Sequence, residues 1–209
     1  MLAVARPGGA ATAQLSVLQS PDARTPYRVA ARVDLLPGAT LPPTAPADQG
    51  AAVLGPDASS LVTTPRRALV DYATLLRTGR TDGTVFAPDV VVASVRDNAR
   101  GQARGVAAVA TFAQEHRVEP GSFSVVRTAD GGALVVAAVD RVDRFLVRKG
   151  AGTIKAPPAY SALAKGVTRI PQRAEVTTVQ LVAMVLPPAG RGQARVVGFS
   201  EHPARVTAS

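Results

Sequence analysis

Residues 127–150 read RTADGGALVVAAVDRVDRFLVRKG, and the architecture turns on them. Asp130, Gly131 and Gly132 form a turn signal. A β-type run follows without a break and becomes charged halfway along. Residues 133–139 are apolar at every position, as expected of a central strand covered by helices. Beyond Asp140 the apolar positions are Val142 and 145–147, interleaved with Arg141, Asp143, Arg144 and Arg148. The run therefore reads as one long strand that leaves the covered part of a sheet. Its far end has one wet face, or bends at a bulge near 140–142. Opposite charges on that wet face pair across strands, each pair contributing about 0.2–1 kcal/mol.

Working outward, residues 122–128 form a short strand that enters the Asp-Gly-Gly hairpin. Residues 106–118 place Val106, Ala108, Ala110 and Phe112 on one face of another. Upstream, the clearest helix spans 65–79. Thr64 can cap it, Pro65 suits its first position, and Gly79 stops it. Ala68, Leu69, Tyr72, Leu75 and Leu76 form its apolar stripe. A second helix starts near Pro88 within 86–105, with Asp89 in its first turn, although Val90, Val91 and Val92 are β-branched. Downstream, 150–170 is a loop with a short helical turn at 160–165. Residues 174–186 form a second long strand, and PPAGRGQ (187–193) turns it into a last strand at 194–199.

The N-terminal part is a hairpin, with strands 13–19 and 27–36 around the turn PDARTP. A lone hairpin is marginal in water, so it must join a larger sheet. Its pattern of strand, proline turn, arginine-bearing strand and proline is repeated loosely at the end of the chain. The expectation is an α+β fold. A curved antiparallel sheet packs against two N-terminal helices at 64–207, preceded by a proline-rich linker at 39–63 and a β-hairpin at 1–38 left from a truncated upstream domain.

The chain has 209 residues, 46% hydrophobic and only 4% aromatic, so its core is built from Ala, Val and Leu. There is no cysteine, which excludes thiolate nucleophiles, disulfides and cysteine-ligated metals. The net charge of +9 comes from 21 Arg and 3 Lys against 15 acids. That balance is also what a GC-rich genome produces. No basic run is dense, and few aromatics lie beside the arginines, which disfavours nucleic acid as a partner. The one asymmetry is 141–173, where Arg141, Arg144, Arg148, Lys149, Lys155, Lys165, Arg169 and Arg173 face a single acid, Asp143. It suits an anionic membrane or cell-wall surface. No run is long and apolar enough to span a membrane, and residues 1–13 do not form a signal peptide.

Candidate chemistry is sparse. His116 lies beside Glu115 and Glu119, but adjacent strand residues point to opposite faces, so His116 reads as structural. His202 falls in a C-terminal tail. Asp140 and Asp143 also face apart and are flanked by Arg141 and Arg144, which gives no metal site. Ser59, Ser60 and Ser122 lack a nucleophile-elbow setting. No catalytic residue, cofactor or metal ligand is assigned. An enzyme of the lyase or isomerase type, or a small-molecule binder, would need Tyr72, Phe112, His116 and Glu175 to converge on one cavity.

The combination TPYRVAARVDLLPGATLPP, TPRRALVDYATLLRTG, RTADGGALVV and VLPPAGRGQARVVG resembles an uncharacterised family of actinobacterial envelope proteins, many of them lipoproteins, over nearly all of 14–200. The resemblance implies export, with a signal peptide upstream of Met1, and carries no assigned activity; together with the absence of any convergent polar constellation it leads to the expectation of a non-enzymatic interaction or structural role among envelope proteins. It implies an extracellular or membrane-anchored location, with the cytoplasm left open. The element order also looks like the cystatin-like or nuclear-transport-factor-like fold, an analogy that says little about function.

Overall fold

A computed structural model describes residues 2–5, 12–20, 22, 24–46, 49–80 and 85–209. Pro21 and Ala23 of the expected hairpin turn lie outside the described residues, as do Met1 and residues 6–11 of the N-terminal segment. The chain opens with three antiparallel strands, β1 (Leu2–Ala5), β2 (Gln14–Gln19) and β3 (Arg28–Asp34). Two long helices follow, α1 (Pro65–Thr78) and α2 (Val90–Val106). Next come β4 (Ala110–Val118), β5 (Ser124–Arg127) and β6 (Ala133–Val147). A small excursion of β7 (Ile154–Lys155), α3 (Pro158–Leu163) and β8 (Arg169–Ile170) precedes β9 (Arg173–Leu186) and β10 (Arg195–Ala208).

Local signals set both long helices. Thr64 accepts the Arg67 N–H at 3.2 Å, and Gly79 closes α1 at φ 69°, donating to the Leu75 carbonyl at 2.7 Å. Asp89 caps α2 by accepting from Val91 and Val92 at 2.8 and 3.0 Å, and this cap overrides the poor helix propensity of the valines.

The main sheet is antiparallel in the order β10-β9-β6-β4, with β5 lying beyond β4 on the same side of β6. Register between β6 and β9 runs unbroken from Ala133 opposite Leu186 to Leu146 opposite Arg173. The bend expected at 140–142 is therefore absent. The bulges lie instead on the edge strand β10, between Val196 and Gly198 and between Pro203 and Arg205. With these interruptions β10 still reaches Ala208, so His202 lies in a strand opposite Val179 rather than in a tail.

The expected α+β arrangement, a cystatin-like sheet over two N-terminal helices, is corrected by this topology. Strand outweighs helix among the described residues, 44% to 19%. Among the described residues three strands precede the first helix, and the near half of the main sheet is covered on both faces. On one face Val135, Ala137, Val139, Val182 and Met184 pack with Leu69, Tyr72 and Leu76 of α1 and with Val91 and Val95 of α2. On the other, Leu134, Val136, Ala183, Val185 and Val197 pack with Leu15, Val17 and Val33 of the N-terminal sheet and with Leu35. The physical reason is visible in β6. A strand apolar on both faces needs two covers, and the hairpin at 1–38, expected to belong to another domain, is the second. Gly198 permits the close approach. An added Cβ there would stand 3.0 Å from the Asp34 carbonyl oxygen and from Val33, and Leu35 bridges to Gly198. Of the segment expected as a linker, 39–63, residues 52–54 run along β5 and residues 60–62 along the turn after β9. Arg127 donates to the Ala52 carbonyl at 2.8 Å, and Leu54 donates to that of Val125 at 3.0 Å.

Candidate functional site

In β6 the odd positions share one face. Residues 133–139 of that face lie under the helices, and Phe145 reaches a second apolar cluster with Ala156, Ala164, Ile170, Val176 and Val206. Between the two apolar blocks the same face carries Arg141 and Asp143. They are not wet. Arg141 is 6% exposed and Asp143 is fully buried. The excursion 148–172 takes in the segment 150–170, expected as a loop with a short helical turn at 160–165; it carries α3, folds back over this end of the sheet and covers it, and its β7–β8 pair ties it together.

Arg141 and Asp143 belong to a polar row that crosses all four long strands. Asp143 accepts from Gln114 Nε2 on β4 at 2.8 Å and from Arg141 Nε at 3.1 Å. Arg141 also donates to Glu201 on β10 at 2.7 Å and to Thr178 on β9 at 3.4 Å. Gln180, fully buried on β9, donates to the same Glu201 oxygen at 3.1 Å. Burial pushes the Asp143 carboxyl above its ordinary range, against the pull of Arg141 and Gln114. Each charge in the row has an opposite charge beside it, as buried charges require.

His116 ends the row on β4, opposite Arg141 in register. Its two ring nitrogens are buried without a hydrogen-bond partner among the described residues. Burial, with the Arg141 and Arg77 guanidiniums nearby, holds it down to about 4. At neutral pH it is an uncharged imidazole. Glu115 faces the opposite side, where Arg144 and Arg117 hold it at 2.6 and 2.7 Å. Glu119 is exposed beyond the end of β4.

The four residues that an enzymatic site would need do not converge. Tyr72 lies in the core under α1, its hydroxyl 3.3 Å from Asp89. Phe112 packs against Phe145 with the rings tilted at 53° and their centroids 5.2 Å apart. Glu175 points to the far face and pairs with Arg144 at 2.9 Å. Only Phe112 and His116 share a face. Among the described residues no cluster of His, Asp and Glu could hold a metal ion.

Beside the polar row lies a groove of about 430 Å³, between the last turns of α2 and the excursion. Val106, Phe145, Tyr160, Ile170, Val176 and Val206 line it, and Lys155 stands at its margin. Burial pushes the Tyr160 phenol up, and the Asp143 charge adds to this. Sequence reasoning missed both features. The available signal was parity: Val139, Arg141, Asp143, Phe145 and Val147 continue one face, with two charges set between apolar residues.

A family model matches residues 1–208. The chain belongs to DUF8094, a domain of unknown function. The span shared with other DUF8094 members takes in the hairpin, the proline-rich segment and the helix-covered sheet alike. Comparison of this DUF8094 chain with curated proteins and with solved structures finds no match. No helix among the described residues is long and apolar enough to cross a membrane.

Proposed function

We propose that this domain is a non-catalytic interaction module of the cell envelope, exported or membrane-anchored, that meets an anionic surface through its excursion. One observation carries the reading. Of the eight cations in 141–173, Arg141 and Arg144 are held by carboxylates within the fold. The other six, Arg148, Lys149, Lys155, Lys165, Arg169 and Arg173, are exposed on the excursion and its flanks, and none has a carboxylate within 4 Å among the described residues. No acid occurs between 148 and 173. Such a patch attracts anionic headgroups or polymers and is screened by salt. The resemblance to actinobacterial envelope proteins supports the location. The neutral His116 without a carboxylate partner supports a role other than acid–base chemistry.

The test is co-sedimentation of the full chain with phosphatidylglycerol vesicles and with phosphatidylcholine vesicles. Binding to the first alone, weakening as salt rises from about 0.05 M to about 0.5 M, is expected. Binding that is absent at low salt, or equal for both lipids, overturns the reading.

A further inference from the structure

We infer that the groove between α2 and the excursion binds the alkyl chain of a single-chain anionic amphiphile, with its acidic head beside Lys155. Three observations meet here. The groove's volume, about 430 Å³, falls in the range of sites that enclose small molecules. Its walls are the apolar side chains of the far cluster, and Tyr160 and Gln102 are among the few polar groups on it. Its lining holds one cation, Lys155, and no acid. Lys155 lines the groove and sits opposite Arg169 in the β7–β8 pair. Apolar walls with a positive rim complement a long chain ending in a carboxylate, sulfate or phosphate, and disfavour a cationic head on the same chain.

The excursion carries further features that suit an amphiphile. Leu163 of α3 is 40% exposed, and Pro157 and Pro158 are exposed beside it. Lys165, which follows α3, holds a left-handed backbone (φ 53°) and is the one non-glycine among the described residues to do so. On the opposite wall α2 has Gly105, where an added Cβ would meet nothing within 4 Å. The α2 wall thus has no side chain at this position, and room for one.

The inference rests on the excursion as an anion-facing surface, and the experiment separates the two. The full chain is titrated with cis-parinaric acid, whose emission rises in a dry site. The bound probe is then displaced with decanoate or with decyltrimethylammonium. Decanoate is expected to compete at least about tenfold better. Gly105→Leu places a side chain in open space at the groove wall and replaces glycine with a good helix former. It is expected to abolish probe uptake while thermal stability is no lower than in the parent and sedimentation with phosphatidylglycerol vesicles is unchanged. Lys155→Gln is expected to weaken decanoate and, by removing the repulsion of like charges, to strengthen the cationic competitor.

Uptake by Gly105→Leu equal to that of the parent overturns the groove assignment, even if vesicle binding holds. Equal competition by the two amphiphiles overturns the anionic preference. A concentration-dependent dimer that excludes the probe shows that a second copy fills the groove, and also overturns it. Loss of vesicle binding by the parent chain, with probe uptake retained, sinks the surface reading and not the groove.

Discussion

Two arginines three residues apart on β6 meet opposite fates. Arg141 is buried with Asp143 and reaches Glu201. Arg144, on the other face, lies between Glu115 and Glu175 with its side chain 37% exposed. The residue types and the charge count are alike, and so are the bond lengths. What differs is the cover. The excursion and α2 close one face of the sheet's far half, while the hairpin closes the other face only over its near half. An ion pair drawn out of water costs desolvation, and losing one partner then strands the other charge. An ion pair left in water is screened and can be exchanged for solvent.

The largest effect expected from this contrast is at Arg141. Arg141→Met leaves the fully buried Asp143 with Gln114 alone. The variant should lose about 3–5 kcal/mol in a denaturant titration. Arg141→Met combined with Asp143→Val should recover most of that loss, because no buried charge remains in the strand. If the single and double variants are equally unstable, the pair is held by something other than mutual neutralisation.

The next effect is the pH dependence contributed by His116, at the end of the same buried row. Its pKa in the fold is about 4, below its ordinary 6.5. As pH falls through 6.5 the unfolded chain takes up the proton first. Stability is therefore fully present above pH 6.5 and declines toward about 4, by at most about 3 kcal/mol. Asp143, whose pKa is raised by burial, acts in the opposite sense at the acid end. The His116 contribution is thus read from the difference between the parent and His116→Leu. The variant should lack this slope and be no less stable at neutral pH, since two unpartnered nitrogens are exchanged for methyl groups. Parallel pH profiles for the two chains would refute the neutral, buried imidazole.

A smaller effect should come from the cover on the near half. Gly198→Val would press on the Asp34 carbonyl and Val33. It should cost about 1–3 kcal/mol and speed amide exchange in β2 and β3 before it touches β9. Uniform acceleration across the main sheet would mean that the hairpin and the sheet unfold as one unit.

Local signals were legible in the sequence where a single residue type forces the geometry. Thr64 and Gly79 bound α1, Asp130 with its glycines turns into β6, and the length of β6 follows from its unbroken β pattern. The long-range partners were not legible. The apolar even positions Leu134 and Val136 required a second cover, but nothing in 13–36 says which sheet that hairpin joins. The burial of Arg141 and Asp143 depends on the excursion, whose glycines and prolines read as loop. The second half of β10 was hidden because SEHPAR reads as a tail, whereas an edge strand tolerates a proline and a bulge. At the candidate site, the opposite facing of Glu115 and His116 was readable from strand parity. The partners of the row, Gln114, Gln180 and Glu201, come from three other strands and emerge only from register.

The smallest effect belongs to Arg144, and it tests the contrast from its open side. Arg144 holds the Glu115 carboxyl below its ordinary range, and Arg117 helps. In Arg144→Ala, Glu115 keeps Arg117, and Glu175 turns to water. Neither carboxylate is stranded, because among the described residues no second layer lies above them. The unfolding midpoint should barely move, and the little movement seen at low salt should vanish at about 0.5 M salt, where exposed charges are screened. Arg141→Met should instead show the same loss at both salt concentrations, because the solution does not reach Asp143. If Arg144→Ala cost as much as Arg141→Met and held that cost in salt, this face would be covered in solution. The two arginines would then differ only in the residues that cover them.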